Sequence, residues 1–419
     1  MYRIPNSPWL SISLLTLTPP KPIPCFAYSF LLALLSWHWY PTASILTSSE
    51  SEPSGITVES LSDTTSVIKA VEFLKQARTD YTNAGYEVQT IRISTQNLYE
   101  YLGGKTLDEA LPYLKKFDEI AQRDDVSFAI GSVLPPNEYN AAVAGWAAKL
   151  IGQTELINFS LPVSSTTLGI HRNGIKAAAE IVVAVAKVGK GGEGNFRFTA
   201  SANCPAGIPF FPAAFHSGVN SFAVGLEYPN LLTEVFSKST MVNAREALKA
   251  ELEKQFLPVQ ALATNISFTY GWQYDGIDTS PAPGLDASIG TAIETLTKQP
   301  FGGPSTLSAC SLITDVIKSL DLKTCGYSGL MLPVIEDKVL AQRANENRYT
   351  VQELLLFSSV SGTGLDVIPL AGSTSAATVE RIFTDVASLS LKYTNKALSA
   401  RLFLIPGKKA GDKVTFDNP

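Results

Sequence analysis

From Asp63 onward, stretches with helical spacing alternate with short apolar stretches, and that alternation restricts the chain to folds assembled from βα units. Asp63 is placed to cap a helix on which Val67, Val71, Leu74 and Tyr81 share one face, with Gly85 as its terminator. A strand over residues 86–93 follows. The theme repeats as a helix near 107–122, a strand at 126–130, a helix near 139–151, a strand around 156–163 and an Ala-rich helix over 173–188. The run 177–186 is apolar nearly all round, as expected of a helix packed between layers. Residues 195–202 alternate as a strand and deliver the chain to Cys204. Later strands are predicted at 266–272, 326–334 and 399–405, with helices near 244–255, 287–298, 306–320, 351–360 and 377–395. Parallel strands with crossover helices are the expected outcome: one α/β domain over residues 54–419, barrel-like or a wide open sheet.

Residues 1–53 do not share this pattern. They carry almost no charge, many Ser, Thr and Pro, and one apolar run at 26–37 that is too short for the ~20 residues a bilayer span needs. They read as an unfolded extension, a signal-like segment with a small-residue site at Ala43-Ser44, or an artefact of gene prediction. The formal charge of −5, without a dense Lys/Arg run, argues against a nucleic-acid surface. Four scattered cysteines make no disulfide framework and fit a reducing compartment. A cytoplasmic protein is expected, with secretion left open by residues 26–44. No integral membrane span is expected, a small-molecule ligand is, and a homo-oligomer is compatible with the sequence.

The most chemically loaded stretch is 204–216, Cys-Pro-Ala-Gly-Ile-Pro-Phe-Phe-Pro-Ala-Ala-Phe-His. It follows a strand end, where parallel α/β folds place functional groups, and three prolines and a glycine fix its backbone. Cys204 as nucleophile and His216 as its base are the sharp reading; a small buried residue and a satisfied core histidine are the bland one. The loop over 275–286 carries Asp275, Asp278 and Asp286, whose oxygens suit a hard divalent metal, although turn formation and helix capping by Asp286 are the ordinary explanation. Glu227, Glu336, Asp337 and Asp366 each follow apolar or glycine-rich segments and are positioned as acid, base or ligands if they converge. His171 with Arg172, and Lys408 with Lys409 after the last strand, are candidate holders of an anionic substrate. The glycine-rich pieces at 189–194 and 361–364 do not match a phosphate-cradling loop.

Six ordered strings carry a resemblance: 204–216, Phe-Ala-Val-Gly-Leu-Glu at 222–227, Gly-Ile-Asp-Thr-Ser at 276–280, Gly-Tyr-Ser-Gly-Leu-Met-Leu-Pro-Val at 326–334, Gly-Thr-Gly-Leu-Asp at 362–366 and Pro-Gly-Lys-Lys-Ala-Gly at 406–411. Over residues 55–419 the chain is similar to domain-of-unknown-function family 711. The resemblance implies a fold like that of the pyruvate formate-lyase class of glycyl-radical enzymes, a ten-stranded α/β barrel with helices outside. It implies no activity, because fold analogy does not transfer function. The Arg-Val-x-Gly-aromatic string that holds the radical in those enzymes is not recognisable, so Cys204 is expected to act as a thiolate if it acts. The family's first strand is not recognisable before Ser54 unless residues 42–47 supply it, and without it barrel closure is in doubt.

The function expected is therefore that of an enzyme acting on a small polar or anionic substrate without a glycyl radical. Cys204, His216, Glu227 and Asp366 would be catalytic, with His171, Lys408 and Lys409 binding substrate and Asp278 and Asp286 holding a metal. A metal- or ligand-binding barrel without turnover is the alternative.

Overall fold

A computed structural model describes residues 44–49, 55–284, 286–392 and 396–414, so the signal-like run at 26–37 lies outside the described residues. Its strands are β1 (Ser44–Ser49), β2 (Gly55–Ile56), β3 (Ile91–Thr95), β4 (Val126–Ser132), β5 (Ile157–Ser165), β6 (Gly169–Ile170), β7 (Phe198–Ala202), β8 (Ser221–Glu227), β9 (Gln273–Ala282), β10 (Gly364–Ala371) and β11 (Leu398–Ile405). Its helices are α1 (Thr64–Asn83), α2 (Leu98–Tyr101), α3 (Leu107–Asp124), α4 (Val143–Gln153), α5 (Arg172–Val185), α6 (Pro229–Ser237), α7 (Ala244–Tyr270), α8 (Ile289–Thr297), α9 (Thr306–Lys318), α10 (Lys338–Asn345), α11 (Val351–Ser361) and α12 (Ala376–Lys392).

Local chemistry accounts for many boundaries. The Asp63 carboxylate accepts the Ser66 amide and caps α1, as expected. Thr106 and Glu109 form a capping box at the start of α3, and Thr350 and Glu353 another at α11. Helix α8 is not capped by Asp286, which is exposed. Ser288 caps it, and Asp337 adds bonds to the Ile289 and Gly290 amides while also capping α10 through Val339 and Leu340.

The strand expected at 266–272 is instead the last turns of α7, which ends where Gly271 takes φ 73°. The aromatic and β-branched residues there made a strand-like string, but they continue the register of a helix whose buried face includes Val259, Ala263 and Ile266. The true strand, β9, begins at Gln273 and runs through the segment expected to be a loop.

All strands belong to one sheet, whose main path is β10-β11-β7-β5-β4-β3-β1-β8-β9. From β7 to β1 all neighbours are parallel. Strands β8 and β9 are parallel to each other and join antiparallel at β1; β10 and β11 are likewise parallel to each other and join antiparallel at β7. The sheet thus already includes a strand before residue 54. It is not closed, so the expected ten-stranded barrel ladder is not present. The predicted strand at 326–334 is irregular: isolated parallel bridges tie Thr324 to Ile277 of β9, and Leu330 and Pro333 to Gly362 and Asp366 beside and within β10.

Strand order follows chain order from β1 to β7, and right-handed crossovers then put every connecting helix on one face. The residues prove it by their partners. Phe128 stacks on Phe117 of α3, and Phe159 meets Trp146 of α4. With Ile91, Ile93, Ile157 and Phe198 these residues form the apolar, helix-facing side of the sheet, and all are buried. The alternate positions Arg92, Ser94, Ser127, Asn158, Ser160, Thr199, Ser201, Ser399 and Arg401 therefore share the opposite face.

Candidate functional site

A face of small hydroxyl residues is unexpected in a sheet buried on both sides, where near-continuous apolar runs are the rule. Here Ser94, Ser160, Thr199 and Ser201 are buried, and the segment 204–216 crosses above them. Cys204 leaves β7, its thiol bonded to the Leu398 carbonyl at 3.2 Å and 3.9 Å from the Tyr327 hydroxyl. At the far end the His216 amide donates to the Thr95 carbonyl of β3 at 2.8 Å. Between them Phe211 lies against Arg92, 5.5 Å from guanidinium carbon to ring centre.

Beneath this loop the polar face carries a charged cluster. Arg401 binds Asp366 through Nε and Nη2, both at 2.7 Å, and reaches Glu336 at 3.3 Å. Asp366 is aimed there by a bulge in the β10–β11 ladder at which Val367 takes φ 45°. A β-branched residue in that region is strained, and such strain collects at functional sites. Burial raises the Glu336 carboxyl above the usual range; Arg401 opposes the rise, Asp366 adds to it and Arg92 opposes it. Burial works against the Arg401 charge, but Asp366 and Glu336 outweigh it and the guanidinium stays ionised. The Tyr327 hydroxyl, held neutral by burial, lies between Cys204 and Ser399.

The expected residues divide accordingly. Cys204 and Asp366 reach this cluster, through Tyr327 and Arg401. Cys204 and His216 do not form a nucleophile–base pair: no hydrogen bond joins them among the described residues, and each has its own partners. Burial pushes the Cys204 thiol up to about 12, so it is a neutral donor and not the thiolate the sequence suggested. Glu227 stands at the end of β8, bonded to Gln89, and pairs in register with the first residue of β1. His171 fills both ring nitrogens with the Ser165 hydroxyl and the Pro162 carbonyl, and so fastens α5 to β5. Lys408 and Lys409 are exposed beyond the end of β11. Because β11 runs antiparallel to β7, that end is opposite the one that carries Cys204.

Asp278 is buried on β9, and its two oxygens accept from the Ser280 amide and hydroxyl and the Tyr327 and Ser328 amides, at 2.6–3.0 Å. Burial raises its carboxyl to about 6 in spite of these bonds. Four donors leave little room for a cation, and Asp286 is exposed at the surface. The described residues hold no group of three or more His, Cys, Asp or Glu side chains able to take a metal. Asp278 instead anchors the segment that presents Tyr327. Sequence reasoning missed Arg92, Tyr327 and Arg401. The signal available for the two arginines was a cation at alternate positions of an otherwise apolar strand, Ile-Arg-Ile-Ser and Ala-Arg-Leu-Phe-Leu.

A family model described as Uncharacterised ACR (DUF711) matches residues 42–417. The chain belongs to the DUF711 family. The match starts before residue 54 and takes in β1, an interior strand of the sheet between β3 and β8. Curated relatives are named UPF0210 proteins. One from Pyrobaculum aerophilum is 30% identical over 284 residues, 65% of this chain and 62% of that protein. One from Carboxydothermus hydrogenoformans is 27% identical over 365 residues, covering 83% and 80% of the two chains. One from Lachnospira eligens is 28% identical over 338 residues, covering 74% and 72%. The alignment thus spans less than two thirds of the Pyrobaculum protein's length. No helix of this DUF711 chain, among the described residues, is long and apolar enough to cross a membrane.

Proposed function

We propose that this DUF711 protein is an enzyme that binds a small oxygenated anion on the polar face of the sheet and moves a proton on it, without a glycyl radical. One observation carries the reading: Arg92, Glu336, Arg401 and Asp366, all half-buried, gather on the polar face of the sheet near Cys204 and Tyr327. Buried charges are costly, and side chains of similar volume without charge would serve a purely structural role better. Arginines set against neutral donors suit a carboxylate or a similar anion. Glu336, its proton affinity raised by burial, is the group for general acid–base work, as in a lyase or isomerase.

A barrel resembling that of pyruvate formate-lyase belongs to the same reading. Two sets of parallel strands, β1, β3, β4, β5 and β7 in one and β8 to β11 in the other, run antiparallel to each other, and the 324–334 segment bridges toward both β9 and β10. Counted as a tenth element it would close the polar face into a chamber.

The test is a thermal-shift screen of small carboxylates and sugar acids, followed by proton NMR of each stabilising compound incubated with protein in D2O. The expected outcome is stabilisation by at least one anion and loss or deuteration of one of its C–H signals, with Glu336→Gln keeping the stabilisation and losing the exchange. A screen in which no anion binds, or a Glu336→Gln variant as fast as wild type, overturns the proposal. Binding with no exchange at all makes the protein a carrier and not an enzyme.

A further inference from the structure

Two buried polar atoms near the charged cluster have no hydrogen-bond partner among the described residues, Ser94 Oγ and His216 Nδ1. Both residues are almost wholly buried, at 0% and 1% exposure. Their relative position follows from the sheet. Gly55 of β2 pairs in parallel register with Ser94 of β3, so a side chain on Gly55 would leave the same face as that of Ser94, one strand spacing of about 4.8 Å away. The place of that missing side chain is taken by His216: a Cβ on Gly55 would lie 1.7 Å from Nδ1. The imidazole nitrogen and the serine hydroxyl therefore lie on the same face of the sheet, on neighbouring strands.

The chemistry they offer is defined. His216 Nε2 is 3.0 Å from the Gly218 carbonyl, which can only accept, so Nε2 carries the proton and Nδ1 is a bare acceptor. The ring is kept neutral by burial. A group placed between them must donate to Nδ1 and can accept from, or donate to, the serine. A hydroxyl does both. Arg92 lies two residues before Ser94 on the same face, about 6.6 Å along the strand, and its guanidinium turns toward Glu336 and Phe211.

We infer that Ser94 and His216 form a hydroxyl-binding subsite, and that the anion bound beside it is a hydroxy acid, its carboxylate on the arginine side and its hydroxyl between Ser94 Oγ and His216 Nδ1. This rests on the reading of the polar face as an anion site and adds the second group that the ligand must carry. A buried acceptor and hydroxyl left unpaired by a ligand lacking the hydroxyl make the site reject that ligand.

The experiment is calorimetric titration with matched pairs that differ by one hydroxyl, malate against succinate and lactate against propionate. The hydroxylated member of a pair is expected to bind wild type at least about tenfold tighter, and Ser94→Ala to shrink that advantage below about threefold. Ser94 Oγ has no hydrogen-bond partner among the described residues, so Ser94→Ala removes no bond they make. In parallel, the His216 Nδ1 nitrogen resonance should move when the hydroxylated acid is added and stay in place with its partner. Equal affinity within both pairs, the result if a water holds the spot permanently, overturns the hydroxyl subsite alone. An advantage that survives Ser94→Ala does the same. Failure of all four acids to bind overturns the anion site together with it.

Discussion

At the scale of single residues, burial decides what each polar group can do. The Cys204 thiol sits against the Leu398 carbonyl and Tyr327, and burial keeps it protonated. Alkylation by iodoacetamide should accordingly be much slower at Cys204 than at a free cysteine up to pH 9, as followed by mass spectrometry. Rapid modification of Cys204 in the folded protein would restore it as a nucleophile. Asp278 shows the same logic from the acid side: its carboxylate was legible as an isolated acid after an apolar stretch, but whether it meets a metal or four protein donors depends on residues 49 and 50 positions later in the chain. Arg401 and Asp366, 35 residues apart, become partners only when β10 and β11 lie side by side.

At the scale of elements, periodicity and capping carried most of the reading. Helices α1, α3, α5, α9 and α11 stand where their spacing predicts them, and α1, α3 and α11 start at a capping side chain, Asp63, Thr106 and Thr350. The longest helix, α7, was misjudged at its C-terminal end, where Ser, Phe, Thr and Tyr have strand-like propensity but the packing of Ile266 keeps the helix going. Asp337 joins two elements at once, accepting from the first amides of α8 and from those of α10. Each lost cap costs about 1 kcal/mol, and the amides left buried add to it. Asp337→Ala should therefore lower stability by about 2–4 kcal/mol in urea unfolding, with the fold retained; a change below about 0.5 kcal/mol would show that other groups take over both caps.

At the scale of the whole molecule, His216 links global stability to pH. Its folded value of about 4 lies below the ordinary 6.5, so between those values the unfolded chain binds a proton that the folded chain does not. The stability His216 contributes as a neutral ring is complete above pH 6.5 and is lost as pH falls toward 4, up to about 3 kcal/mol. Asp278 works in the opposite sense: its folded value near 6 is raised, so acidification through that range favours the folded state. The two tend to cancel in wild type, which makes the comparison with a variant the informative one. Between pH 7 and pH 4, wild type should lose at least about 1 kcal/mol more than His216→Gln; parallel stability profiles would mean that the ring gains a proton in the fold.

The sequence by itself determined the α/β class, the family and most helices, because periodic stripes and caps act over a few residues. Only the tertiary structure decided which of the candidate residues meet. Which face of a strand is polar and buried, and which of Cys204, His216, Asp278 and Asp366 meet a charge, a carbonyl or nothing, depends on strand order and register. Those are set by packing among residues far apart in the chain.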